Sequence, residues 1–278
     1  MTRSPHLAEP RLHADAVTLG YDERTIAQNL SVAIPDGSFT VIVGPNACGK
    51  STLLRALSRL LVPSQGRVVL DGRPITDLPA KTVARSLGLL PQSAVAPEGI
   101  KVADLVARGR YPHQSFFRQW SKADEAAVGA AMAATDVADL SGRLVAELSG
   151  GQRQRVWIAM VLAQETPILL LDEPTTFLDI AHQIEMLDLL ADINAQGRTI
   201  VAVLHDLNHA CRYASHLIAM KDGNILAEGA PAAIVTEQLV EDVFAMPALV
   251  IDDPVSNTPL VVPKRRRNSL ISHGSEMG

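Results

Sequence analysis

Nine consecutive residues, Gly44-Pro45-Asn46-Ala47-Cys48-Gly49-Lys50-Ser51-Thr52, have the types and spacing of a phosphate cradle. They read G-x-x-x-x-G-K-S. Glycines let the backbone curl until successive N–H groups face one point. A helix that follows adds unpaired N–H groups and the positive end of its dipole. From such a frame Lys50 reaches β- and γ-phosphates, and the Ser51 hydroxyl is placed to ligate Mg²⁺. At average residue frequencies this pattern arises by chance roughly once in a hundred chains of this length. A phosphate loop also needs an acidic partner for its metal. Asp172 and Glu173 close the apolar run Ile168-Leu169-Leu170-Leu171. There Asp172 would support Mg²⁺, directly or through water, and Glu173 would polarise an attacking water. Taken alone, the same pair is an ordinary acidic turn after a strand.

Four further features fit the same chemistry, each with a blander reading beside it. Leu148-Ser149-Gly150-Gly151-Gln152 opens a helix with a Ser/Gly-rich turn. That turn is either a second phosphate site or a plain helix cap. His205 ends another buried-looking run, where it would sense a γ-phosphate; a lone histidine is more often structural. Gln92 follows a short strand and is a surface glutamine by default, a metal or water ligand in this context. Tyr21 is an aromatic at a turn, able to stack on a purine or simply to pack.

These residues need elements to hold them. The β-branched run Phe39–Val43 predicts a strand before the loop, and Leu53–Leu61 predicts a helix after it, stopped at Pro63. Ala14–Leu19 and Leu30–Ile34 read as strands, with turns at Gly20-Tyr21-Asp22 and Pro35-Asp36-Gly37. Gly66–Gly72 and Leu87–Leu90 read as further strands. From about Val102 to Leu162 the pattern is helical, a lobe inserted into a sheet domain. Strands return at Ile168–Leu171 and Thr199–Leu204, separated by a helix over Ile180–Asn194, and then at His216–Met220 and Asn224–Ala227. Thr199–Leu204 is apolar throughout, as a strand covered on both faces must be. Alternating strands and helices predict a mostly parallel α/β sheet, and ligands bind such sheets at the C-terminal ends of the strands. Residues 1–11 read as a loose leader.

Bulk properties narrow the classes. The chain has 278 residues and is 47% apolar, enough for a substantial core. A net charge of −5 and 4% aromatic residues argue against nucleic-acid binding by charge or stacking. No apolar run is long enough to cross a bilayer, and the N-terminus lacks the apolar core of a signal peptide. Two cysteines, Cys48 and Cys211, give no disulfide framework, and one lies inside the phosphate loop. A reducing, cytosolic setting is expected.

In this order, the phosphate loop, Gln92, the Ser149–Gln152 turn, the Asp172–Glu173 strand and His205 resemble the ATP-binding subunits of ABC transporters. The resemblance covers about Leu12 to Val262. It implies an α/β fold of the P-loop NTPase class, with a mostly parallel sheet core, an N-terminal antiparallel β region and an inserted helical lobe at about 93–164. Residues 12–262 would form the ATP-binding domain. Residues 263–278 would be a basic tail, expected to be disordered and either solvated or touching anionic lipid. The resemblance implies ATP and Mg²⁺ as ligands. It places Tyr21 on adenine, the loop Gly44–Thr52 around the phosphates, and Ser51, Gln92 and Asp172 at the metal. It makes Glu173 the catalytic base, with His205, Lys50 and Gln92 assisting. Asp179 matches an inter-subunit loop. Two copies would associate head to tail, the Ser149-Gly150-Gly151-Gln152 turn of one covering ATP held by the other. Transmembrane permease subunits would dock on the helical lobe at the cytoplasmic face of the membrane, with an extracytoplasmic substrate-binding protein as an indirect partner and no nucleic acid.

A finer similarity links Gly109-Arg110-Tyr111-Pro112-His113, the stretch His205–Ala214 and the stretch Ile251–Pro263 to ferric-siderophore import ATPases. Haem and vitamin B12 importers are near relatives. The rival from another class is a soluble ABC-type ATPase acting on nucleic acid or ribosomes. Against it, the chain has no sustained heptads between the loop and the Ser149 turn, and it carries one cassette. Two expectations attach to the loop itself. Relatives usually carry glycine at the position of Ala47, and alanine fits there if its φ is below zero. Cys48 lies at an electropositive helix start, where a lowered thiol pKa and alkylation blocked by Mg-ATP are expected.

Overall fold

A computed structural model describes residues 9–22, 24–114, 120–176 and 178–264. Strand β1 (Leu12–Tyr21) alternates buried and open positions, the mark of a half-covered strand, and pairs antiparallel with β2 (Arg24–Ile34). The expected turn at residues 20–22 begins later, because Tyr21 still pairs with Arg24 and Asp22 takes φ 49°. Strand β3 (Phe39–Val43) is buried along its whole length and runs into the phosphate loop, and α1 (Lys50–Leu57) leaves it. This helix starts and stops earlier than its apolar run suggests. Arg59 takes φ 65°, and the N–H groups of Arg59 and Leu60 donate to the carbonyls of Ala56 and Arg55. That is a Schellman closure, which satisfies the end carbonyls before Pro63 is reached. Strand β4 (Gln65–Leu70) pairs with the free side of β1, and β5 (Arg73–Pro74) completes a four-stranded antiparallel sheet.

The chain then passes through α2 (Ala80–Ser86) and β6 (Leu87–Leu90) into the helical lobe. The lobe holds α3 (Val102–Ala107), a 3₁₀ turn at Arg108–His113, α4 (Lys122–Ala134) and α5 (Gly150–Ala163). Strand β7 (Ile168–Asp172), α6 (Ile180–Ala195), β8 (Thr199–Val203), α7 (Leu207–Tyr213) and β9 (His216–Lys221) finish the parallel part. The order across this sheet is β9-β3-β8-β7-β6, all parallel, with β10 (Asn224–Gly229) antiparallel at the β9 edge. The expected mostly parallel sheet, N-terminal antiparallel sheet and helical lobe are therefore all present.

Alternate side chains of the central strands feed two cores. Phe39, Val41 and Val43 of β3 pack with α5, α6 and α7, while Ile42 faces α1 and the antiparallel sheet. Leu169 and Leu171 divide from Ile168 and Leu170 in the same way. Covering both faces removes the polar alternation that a half-exposed strand would show. Each fully buried valine, leucine or isoleucine contributes about 1.5–3 kcal/mol of transfer free energy.

The C-terminal part was illegible in the sequence. Helices α8 (Pro231–Ile234) and α9 (Glu237–Phe244) lead to an antiparallel hairpin of β11 (Ala248–Asp252) and β12 (Pro259–Pro263). Pro263 thus belongs to a strand rather than to a loose tail, and Lys264 holds Glu237 at 2.7 Å. The rest of the expected tail, 265–278, lies outside the described residues. The leader is likewise anchored at its end, where Arg11 grips Asp71 at 2.6 Å; residues 1–8 lie outside the described residues.

Candidate active site

Four adjacent parallel strands deliver their C-terminal ends to one edge. Strand β3 ends in the phosphate loop, β8 in His205, β7 in Asp172 and Glu173, and β6 just before Gln92. Strand register therefore brings together residues up to 161 positions apart in the chain, from Gly44 to His205. They face a cleft of about 800 Å³ whose lining includes Asn46, Lys50, Ser51, Gln92, Glu173 and His205. Tyr21, Ala47, Gly49 and Thr52 also line it.

The loop needs its glycines for different reasons. Gly44 has φ 152°, and a β-carbon there would collide with the Met220 carbonyl oxygen. Gly49 has φ 107° immediately before α1. Ala47 has φ 61°, so the negative φ that would have made alanine an easy substitute is not the conformation adopted. An L-residue there costs about 1–2 kcal/mol relative to glycine's freedom. Cys48 also departs from expectation. Its side chain is buried among the apolar residues beneath the loop, and burial pushes its thiol pKa up despite nearby Lys50. Its side chain packs into the core, and neither it nor Pro45 is among the residues lining the cleft.

Lys50 is buried, and its ammonium group donates to the carbonyls of Gly44 at 2.9 Å and Pro45 at 2.8 Å. The Ser51 hydroxyl donates to Asp172 at 2.9 Å. Burial pushes the Asp172 carboxyl up, against that hydrogen bond. A hydroxyl oxygen and a desolvated carboxylate, side by side, form a donor pair suited to a hard dication.

Glu173 is held from three sides. Burial pushes its carboxyl up, but the hydrogen bond and charge of His205, with hydrogen bonds from Gln92 and Thr176, outweigh this and bring its pKa down. His205 Nε2 lies 2.7 Å from Glu173 Oε1, and the Thr176 hydroxyl donates to Oε2 at 3.1 Å. Glu173 itself takes φ 55°, uncommon for a non-glycine residue, which aims the carboxylate off the strand end. The group is thus an ionised acceptor at neutral pH, fixed toward the cleft. Tyr21 is 40% exposed at the rim, and its hydroxyl accepts from Arg55 at 2.9 Å. Sequence reasoning missed Thr176 and Arg55. The signals were there: Thr176 sits three residues after Glu173, and Arg55 lies one helical turn after Ser51.

The Ser149–Gln152 turn and Asp179 are not among the cleft's lining residues. Ser149 caps α5 in a reciprocal box: its hydroxyl accepts from Gln152 N–H, and the Gln152 side chain accepts from Ser149 N–H. Both glycines of the turn stay outside the core. Asp179 caps α6, accepting from His182 N–H at 2.9 Å and lying 2.7 Å from its ring nitrogen. The two groups neighbour each other, since Gly151 packs toward Leu178 and His182.

The family model for the ABC transporter matches residues 27–176. The chain is 60% identical over 257 residues to the ferric enterobactin transport ATP-binding protein FepC of Escherichia coli K12, across 92% of this chain and 95% of that protein. It is 50% identical over 266 residues to the petrobactin import ATP-binding protein FpuD of Bacillus anthracis, across 94% and 97%. Among solved structures, the dimeric bacterial ABC transporter cassette MJ0796 matches with a TM-score of 0.71 at 28% identity, over 79% of this chain and 98% of that one.

Proposed function

This chain belongs to the ATP-hydrolysing subunits of ABC transporters, and on that premise we propose that it energises import of a ferric siderophore through a separate membrane permease. The observation that carries the catalytic part is the Glu173–His205 pair at 2.7 Å, beside Lys50 and Ser51 in one cleft. The cargo class rests on the two relatives, one named for ferric enterobactin transport and the other for petrobactin import.

ATP enters with its adenine against Tyr21 and its phosphates in the curl of Gly44–Thr52. Lys50 transfers its ammonium hydrogen bonds from the loop carbonyls to phosphate oxygens. Ser51 and Asp172, with Gln92, would hold Mg²⁺, which would supply charge neutralisation on the phosphates. Water attacks the γ-phosphorus, the bond to the β-phosphate oxygen breaks, and the water's proton passes toward Glu173. His205 keeps that carboxylate oriented. Among the described residues, the lining of the cleft includes no residue of the Ser149–Gln152 turn to cover the γ-phosphate. The Ser149–Gln152 turn of a second copy, with Asp179 beside it, supplies that cover through unpaired N–H groups and a helix dipole. Each site is then built from two chains, and hydrolysis lets them part.

Among the described residues no helix is long and apolar enough to cross a membrane. The subunit works against a permease at the cytoplasmic face, loaded from outside by a substrate-binding protein. Exposed Tyr111 and Trp120, beside Arg108, line a groove on the helical lobe where a permease segment docks.

Uptake by proteoliposomes containing the chain, its permease and its binding protein tests this reading. ATP-dependent entry of a ferric siderophore is expected. Entry of haem or cobalamin instead would reassign the cargo. No uptake, with hydrolysis stimulated by nucleic acid or ribosomes, would favour the soluble rival.

A further inference from the structure

The segment Gly109-Arg110-Tyr111-Pro112-His113 has no part in the cleft, yet it contains the most thoroughly bonded buried cation of the helical lobe among the described residues. Arg110 is 4% exposed. Its Nε donates to Asp124 at 2.8 Å, and its Nη1 donates to the Ala163 carbonyl at 2.7 Å and to Glu165 at 2.6 Å. Asp124, also buried, is the N3 residue of α4 and part of that helix's capping box. Ala163 is the last residue of α5. One guanidinium therefore joins three elements: its own 3₁₀ turn, the start of α4 and the end of α5.

Two neighbours tighten the same joint. Gly109 lies so close to α5 that a β-carbon would collide with the Met160 carbonyl oxygen. Its glycine is required by approach, since no positive φ is involved. His113 pairs its Nε2 with the Gln164 carbonyl at 2.8 Å, just beyond the same helix end. A cation at a helix C-terminus also suits the negative end of the dipole.

The joint has a partner-facing side and a nucleotide-facing side. Arg108 and Tyr111, in the same 3₁₀ turn as Arg110, line the open groove of the helical lobe, and Tyr111 is 67% exposed. Helix α5 runs the other way for 14 residues, about 21 Å at 1.5 Å per residue, and starts at the Ser149 turn. We infer that Arg110 is a positioning residue: it welds the groove's turn to the far end of α5, so a load on the groove moves the Ser149–Gln152 turn as one rigid piece. The inference rests on the importer reading above, since the load comes from the permease.

The test uses the whole importer in proteoliposomes and two variants. Arg110→Lys keeps a cation beside buried Asp124, which protects folding, but gives up the fork that reaches α4 and α5 together. Gly109→Ala leaves Arg110 in place and pushes the turn off the Met160 carbonyl. For each, hydrolysis by the free subunit is compared with hydrolysis in the complete importer with loaded binding protein. Both variants are expected to keep free-subunit hydrolysis within about twofold while stimulation falls about tenfold, the size of a typical coupling between sites. Stimulation retained in both variants would overturn the inference. So would equal losses of free and stimulated rates, which would mean that the joint only supports the fold. A wild-type importer that shows no stimulation would sink the importer reading, and this inference with it; stimulated wild type with equally stimulated variants would sink the inference alone.

Discussion

At the scale of single residues, the cleft is defined by how Glu173 is restrained. Its carboxylate accepts from Thr176, faces His205 at 2.7 Å and has a lowered pKa. Glu173→Gln keeps the shape and removes the proton acceptor. The variant is expected to bind ATP, to lose turnover by about 10²–10⁴-fold, and to accumulate as an ATP-trapped dimer on size exclusion. Full turnover would remove Glu173 from its role. Ala47 makes a quieter test. Its φ of 61° strains alanine, whereas glycine adopts it freely at some cost in unfolded-chain entropy. Ala47→Gly is expected to raise stability by about 0.5 kcal/mol with activity intact, read from denaturant midpoints. A clear loss of stability would mean that the strain is relieved elsewhere. Cys48, buried beneath the loop with a raised pKa, is expected to resist alkylation in the folded protein with or without Mg-ATP. Rapid labelling followed by mass spectrometry would contradict its packing role. Motif residues such as Lys50 and Ser51 were legible because phosphate chemistry restricts residue type and spacing. The φ of Ala47 and the direction of the Cys48 side chain were not, because both depend on how the loop closes over the core, where Gly44 approaches the Met220 carbonyl and Cys48 packs with Met220.

Among the elements, the strands of the parallel sheet were legible because full burial makes them continuous apolar runs. The helical lobe was legible from composition and period. The C-terminal hairpin was not: Pro254, Pro259 and Pro263 break the pattern, and the strands are held from outside rather than by their own alternation. That hold is a clasp with α7. The Asn208 side chain donates to the Val261 carbonyl at 3.2 Å and accepts from its N–H at 2.7 Å, and Arg212 meets Asp253 at 2.7 Å. Helix α7 begins two residues after His205, so the clasp fixes the element that follows the Glu173 partner. Backbone N–H of Val255, then the Arg212 side chain, lower Asp253 to about 2 from 3.8. A depressed carboxyl stabilises above its unfolded pKa and loses that contribution as pH falls through its folded pKa. The clasp is therefore expected to be complete above pH 3.8 and to fail toward about pH 2. Asp253→Asn should melt at a lower temperature at neutral pH and show a flatter melting profile across that acid window. An unchanged melting temperature at pH 7 would mean that Asp253 adds nothing to the hold that Asn208 and the apolar contacts provide.

For the whole molecule, the decisive feature is separation. Residues of the phosphate loop, Glu173 and His205 share one cleft, with Asp172 bonded to Ser51 at its floor, while the Ser149 turn and Asp179 are not among its lining residues. The proposal that each chain carries two half-sites makes a prediction that no self-contained ATPase would meet. Lys50→Ala destroys a chain's phosphate loop and leaves its Ser149 turn intact. Ser149→Arg does the reverse, at a capping cost of about 1 kcal/mol that a melting curve would register. Neither variant alone should occlude ATP against rapid washing. In a mixed dimer, the proposed head-to-tail arrangement would put both lesions in one site and neither in the other. A tagged, purified mixed dimer is therefore expected to occlude one ATP, where the wild type occludes two. Occlusion is the right readout because it does not require the two sites to fire together. If mixed dimers form and hold no ATP, the Ser149 turn does not complete its partner's site. If Ser149→Arg alone occludes as wild type does, each chain closes its own cleft.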